Sequence, residues 1–216
     1  DRPTVTSCIE QISAGMNYIH SRGIIHRDIK PANILVSYIR GEWTFKIADF
    51  GMISTLQDCN DNWVCTLWYR APELLVDRSL NQVHQYGVSM DLWSAGCVFA
   101  EVIQKLTGTS VPLFQGKDDP DQLATIFNVR GPPSYDEKIM LNWNCQSVND
   151  AIDNASQKCK ILRLESILNA NLDISALVRN LLDLDPETRK QSFDVQHTES
   201  TEPAIDLQPV ELGNIC

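Results

Sequence analysis

Basic charge is scarce in this 216-residue sequence: 18 Lys and Arg stand against 28 Asp and Glu, a formal net charge of −10, with no Lys/Arg cluster. A polyanion finds no cationic footprint on such a chain, so direct binding of nucleic acid is not expected. Long apolar runs are missing too. None reaches the eighteen or so residues that cross a bilayer, and the opening Asp1-Arg2-Pro3-Thr4 has none of the apolar core of a signal peptide. The expectation is a soluble, intracellular chain with no membrane partner. The seven cysteines are odd in number and lack C-x-x-C spacing, which points to reduced thiols and to neither a disulfide framework nor a zinc site. Internal repeats are absent. The 43% hydrophobic content nevertheless excludes wholesale disorder and can supply one domain with a sizeable core.

What is present is concentrated in one string, His26-Arg27-Asp28-Ile29-Lys30-Pro31-Ala32-Asn33, with Ala48-Asp49-Phe50-Gly51 after it. Transfer of a phosphoryl group needs little covalent help. The site must hold a hydroxyl in line with the phosphorus and supply Mg²⁺ ligands against spreading negative charge. Asp28 suits the general base, while the Asn33 amide oxygen and the Asp49 carboxylate suit a hard cation. Lys30, two residues on from Asp28, lies on the same side of an extended loop and can approach the transferring phosphate. A polar hairpin loop could carry any one of these residues, but the joint string is long enough to set that reading aside.

Local periodicity puts this string in a defined frame. Val5, Ile9, Ile12, Met16 and Ile19 form one helical stripe ended by Ser21-Arg22-Gly23. Ile34-Leu35-Val36 and Phe45-Lys46-Ile47-Ala48 flank Arg40-Gly41-Glu42 and read as a β-hairpin that makes Asn33 and Asp49 neighbours. Asp91-Leu92-Trp93-Ser94-Ala95-Gly96 opens a helix that is apolar nearly all round and so belongs in the core. Ile174, Leu177, Val178, Leu181 and Leu182 mark another helical stripe, and 159–168 is weakly helical. Acidic pairs at Asp118-Asp119 and Asp183 with Asp185 read as exposed surface.

Together these motifs resemble the catalytic core of eukaryotic protein kinases from about residue 5 to about residue 189. The string Thr66-Leu67-Trp68-Tyr69-Arg70-Ala71-Pro72-Glu73 resembles the substrate-binding end of the activation segment in the group holding cyclin-dependent and mitogen-activated kinases. The resemblance implies ATP and Mg²⁺ as cofactors, held through Lys30, Asn33 and Asp49. It implies hydrogen bonds between Thr66 and Asp28 and between Thr66 and Lys30, and Arg70 satisfying a carbonyl near Cys65. That arrangement favours proline after the phosphoacceptor, since proline has no amide donor to leave unsatisfied, a loss of about 1–3 kcal/mol for other residues. Glu73 would pair with Arg189, and Asp91 would cap the backbone at His26 and Arg27.

Three features resemble the Mediator-associated branch of the cyclin-dependent kinases: the long loop 37–45, the helix and exit turn Asp121-Gln122-Leu123-Ala124-Thr125-Ile126-Phe127-Asn128-Val129-Arg130-Gly131-Pro132-Pro133, and Asp61. Asp61 stands where ordinary members of the family carry a phosphorylated Thr, and its carboxylate could offer Arg27 a charge-assisted partner unmodified. Phe50, where the branch often has Met, and an insertion around Asn81-Gln82-Val83-His84-Gln85 depart from the pattern. The branch implies protein substrates, a cyclin, a Mediator-type complex, and the nucleus or else the cytoplasm.

The expected fold is mainly α (α+β): a kinase C-terminal lobe over 1–190, with an insert at 134–172 and a divergent or disordered tail over 191–216. No glycine-rich loop, strand Lys or partner Glu precedes Val5. The N-terminal β-lobe is therefore expected to be absent and the sequence to be a fragment of a longer kinase. Two functions follow: the large lobe of a Ser/Thr protein kinase, or a binding module without catalysis. A small-molecule phosphotransferase is disfavoured because residues 68–73 and 91–96 build a peptide groove.

Overall fold

A computed structural model describes residues 1–55, 65–76, 87–109, 111–157, 164 and 172–198. Among these, helices dominate and two small two-stranded sheets accompany them. Helix α1 spans Arg2–His20; Asp1 accepts the Thr4 amide at 3.0 Å, and Pro3 sits in the first turn, where a missing N–H costs nothing. Its predicted stripe is buried, joined by Cys8 and Ser13.

Beyond α1 come β1 (Ile24–Ile25), β2 (Ile34–Ile39), β3 (Glu42–Ile47) and β4 (Ser54–Thr55). Strands β2 and β3 form the expected hairpin, in register from Ile34↔Ile47 to Ile39↔Glu42. Its two turn residues, Arg40 and Gly41, both have positive φ, at 55° and 88°, which matches the right-handed twist of the flanking strands. The Ala48 amide donates to the Asn33 carbonyl at 2.9 Å and continues the pairing past the strand ends. Gln11 on α1 pins the hairpin edge, with its Nε2 on the Trp43 carbonyl at 3.0 Å and its Oε1 under the Phe45 amide at 2.9 Å. Strands β1 and β4 pair antiparallel and bring the residues before and after the hairpin together.

The core is built on α2, Val88–Gln104, whose Trp93 and Phe99 are wholly buried. Around it follow α3 (Asp119–Arg130), α4 (Tyr135–Met140), α5 (Gln146–Gln157), α6 (Leu172–Leu181) and α7 (Pro186–Thr198). Helices α6 and α7 pack on α2 and on each other, and α5 packs on α3. The sequence placed a divergent tail from residue 191, but α7 runs on to Thr198 and Phe193 is buried in the core. A helix that buries one narrow face needs few apolar residues, so polar composition alone does not end it. Asp185 caps its start, accepting from the amides of Glu187 at 3.1 Å and Thr188 at 3.2 Å. Asp183 in turn accepts the Asp185 amide at 2.9 Å, so both acids have structural partners and are not bare surface. Asp61, the insertion near residue 83 and most of 159–168 lie outside the described residues.

Candidate active site

The loop between β1 and β2 is held from below. Asp91, in the first turn of α2 and wholly buried, accepts the His26 amide with Oδ2 and the Arg27 amide with Oδ1, both at 2.8 Å. Arg27 has a φ of 68°, a region a non-glycine residue adopts only when its surroundings impose it. A third donor, unseen in sequence, completes this anchor: His20 Nε2, from the last turn of α1, lies 2.9 Å from Asp91 Oδ2. The Arg27 guanidinium turns toward the segment after Asp49, donating to the Met52 carbonyl and, at 3.2 Å, to the Ile53 carbonyl.

On this base sits Asp28. Its Oδ1 accepts Thr66 Oγ1 at 2.7 Å and the Thr66 amide at 3.2 Å. Its Oδ2 accepts Lys30 Nζ at 2.7 Å and Asn33 Nδ2 at 3.0 Å. Lys30 Nζ also reaches Thr66 Oγ1 at 3.0 Å. Burial alone would raise the Asp28 carboxyl, but hydrogen bonds from Lys30 and Thr66, with the Lys30 charge, hold it below the usual carboxylate range. Four residues named from sequence, Asp28, Lys30, Asn33 and Thr66, are therefore one hydrogen-bonded group.

Asn33 bears on the metal. Its Nδ2 is committed to Asp28, to the carbonyl at 2.8 Å and the carboxylate at 3.0 Å, which leaves Oδ1 as the atom a cation can use. Asp49 lies at the end of β3 with a φ of 62°, and its carboxylate is held by one long contact, 3.4 Å from the Gly51 amide. Two hard oxygen donors at adjoining hairpin ends fit Mg²⁺, which binds through one or two protein oxygens plus water and phosphate. Among the described residues no cluster of three or more His, Cys, Asp or Glu could cage a metal. Beside this end, His26 Nε2 lies 3.1 Å from the Ala48 carbonyl, and its ring meets Phe50 edge-on at 5.1 Å.

Past Thr66 the segment is tied to neighbouring elements. Cys65 is buried with a φ of 72°, and its carbonyl accepts Arg70 Nη2 at 2.9 Å. Arg70 Nη1 donates to Asp119 Oδ1 at 2.6 Å. Asp119, read from sequence as exposed acid, is thus an ion-pair partner of Arg70, while its neighbour Asp118 caps α3 by accepting the Asp121 amide at 2.9 Å. Glu73 pairs with the fully buried Arg189, as the sequence pattern implied. Nothing in the acidic run marked Asp119 over Asp118, because a cap and an ion-pair partner demand the same residue type.

A β-hairpin that joins a carboxylate, a lysine and two hard-oxygen donors on a helical body defines the kinase class of phosphotransfer fold. The model of the protein kinase domain family matches residues 1–199, and the chain belongs to that family. It is 32% identical to the mitogen-activated protein kinase sty1 of Schizosaccharomyces pombe, across 95% of this chain and 58% of that protein. It is 41% identical to a protein of Dictyostelium discoideum named "Probable cyclin-dependent kinase 8", across 72% of this chain and 43% of that protein. To cyclin-dependent kinase E-1 of Arabidopsis thaliana the identity is 38%, across 86% of this chain and 41% of that protein. The chain spans about half the length of the curated relatives it matches.

Proposed function

We propose that this chain supplies the hydroxyl-activating and Mg²⁺-binding side of a protein Ser/Thr kinase that transfers the γ-phosphate of ATP, with Ser/Thr-Pro segments as substrates. The observation that carries this reading is the four-donor shell on Asp28, formed by Thr66, Lys30 and Asn33. An ionised carboxylate offers about four lone-pair positions, so the shell fills them and holds the group ionised and fixed in place. Lys30, the more exposed member of its ion pair with Asp28, is the donor able to leave. When Lys30 turns to the phosphate, Asp28 Oδ2 can accept the proton of the substrate hydroxyl as that oxygen bonds to the γ-phosphorus and the bond from that phosphorus to the departing ADP breaks. Thr66 stays on Oδ1 and keeps the carboxylate oriented. Mg²⁺, bound through Asn33 and Asp49, supplies neutralisation of phosphate charge.

A binding module without catalysis has no use for an ionised carboxylate held by four donors. In the natural full-length protein, Asp28→Asn should lower peptide phosphorylation by about 10²–10⁴-fold. Activity within tenfold of wild type would remove the general-base assignment and favour the binding-module reading.

Finer placement rests on resemblance. The 41% identity to the Dictyostelium protein and the helix 121–130 support the Mediator-associated cyclin-dependent branch, while sty1 matches over more of the chain. A cyclin, a Mediator-type complex and a nuclear site of action go with that branch. Asp61 as a standing substitute for an activating phosphate belongs to the same proposal, and Asp61→Ala should lower activity and leave it insensitive to an activating kinase.

A further inference from the structure

The segment past Thr66 is pinned from a second element. Trp68 Nε1 donates to the Gly116 carbonyl at 3.0 Å, and the Gly116 amide donates to Gln122 Oε1 at 2.7 Å. A Cβ at Gly116 would lie 2.3 Å from the Gln122 Cα, so the leader of α3 is seated against its own helix without slack. From the first residue of α3, just past this leader, Asp119 reaches Arg70, whose Nε is buried without a partner. The Arg70 fork is thus aimed by its two terminal nitrogens, one on Cys65 and one on Asp119.

We propose that Asp119 is a positioning residue for substrate selection: by fixing the Arg70 fork on the Cys65 carbonyl, it keeps that carbonyl from serving the residue after the phosphoacceptor. This rests on the Ser/Thr-Pro reading above. A guanidinium is planar, so a charge-assisted bond on one nitrogen sets the direction of the other. With Arg70 so held, the Cys65 oxygen is bonded to a guanidinium and is a poorer acceptor for a second donor, so a residue carrying a backbone N–H loses hydrogen-bond energy there, while proline loses nothing. Without Asp119 the fork keeps one anchor, and its side chain, 13% exposed, has solvent to turn toward. The Cys65 carbonyl can then accept from a non-proline N–H, and the penalty on such substrates falls.

The test compares a matched Ser-Pro and Ser-Ala peptide pair with the natural full-length protein and its Asp119→Glu, Asp119→Asn and Asp119→Ala variants. The readout is the ratio of kcat/KM for the two peptides. That ratio should fall about tenfold in Asp119→Asn and Asp119→Ala, the worth of one buried hydrogen bond, by gain on the Ser-Ala peptide, and recover in Asp119→Glu. A merely structural role would lower both peptides together and leave the ratio unchanged. An unchanged ratio alongside a proline-selective wild type overturns the inference and leaves the Ser/Thr-Pro reading intact. A wild type that does not distinguish the peptides overturns that reading, and the inference with it.

Discussion

Asp28 shows how few atoms set the chemistry. Burial opposes its charge, yet Lys30 and Thr66 outweigh burial and lower its carboxyl below the usual range. A carboxylate lowered in this way adds stability above the unfolded value of about 3.9 and loses it as pH falls through the lower folded value. Wild type should therefore lose more stability than Asp28→Asn between neutral pH and about pH 2, where the carboxylate is neutralised, as urea melts at the two pH values would measure. Equal losses would mean that the shell on Asp28 contributes nothing to the folded state. The thiols follow the opposite balance: burial acts unopposed on Cys8, and at Cys65 the Ser94 hydrogen bond and the Arg70 charge are too weak to offset it. Burial pushes Cys8 up to about 11 and Cys65 up to about 12, which keeps both protonated and poorly nucleophilic.

At the scale of elements, the site depends on connections between pieces that are each ordinary. The hairpin β2–β3 brings Asn33 and Asp49 to adjoining ends, and Gln11 of α1 holds its edge with two hydrogen bonds. The leader and first residue of α3 hold the activation segment, Gly116 through Trp68 and Asp119 through Arg70. Its tightest point is Gly116, where a methyl would meet backbone atoms of Gln122 at 2.3 and 2.4 Å. Backbone cannot step aside as a flexible side-chain tip can, so Gly116→Ala should cost about 1–3 kcal/mol of stability, the usual range for overpacking. Chemical denaturation measures it, and a cost under about 0.5 kcal/mol would place this contact with ordinary surface positions.

Across the whole molecule, two acids, one buried and one half-buried, tie distant parts of the chain together. Asp91 joins the end of α1 and the catalytic loop to α2, through His20 and the amides of His26 and Arg27. Glu73 joins the activation segment to α7 through Arg189, which also donates to the Asp183 carbonyl at 2.6 Å and sits over Trp93 at 5.5 Å. Burial pushes the Glu73 carboxyl up, and the Arg189 charge opposes that rise without reversing it. The pair gains little net stability over an apolar substitute, but removing one side strands a charge with no access to water. Glu73→Ala should cost about 3–5 kcal/mol by chemical denaturation, and Glu73→Leu with Arg189→Met should recover most of it. A single-variant cost below about 1 kcal/mol would mean that Arg189 finds other compensation.

The catalytic string, the stripe of α1, the hairpin and the all-apolar α2 were legible from residues alone, because each is written in spacing that a local backbone must obey. The pairs Thr66–Asp28, Arg70–Cys65 and Glu73–Arg189 were reachable through the resemblance of the strings that hold them. Other contacts were decided only by tertiary structure: His20 on Asp91, Gln11 along the hairpin, Asp119 on Arg70, and Phe193 of α7 buried in the core past residue 190. In each, a common residue type takes its role from a partner on another element. Periodicity encodes which face of an element turns inward, and it does not encode which polar group on the next element will meet it there.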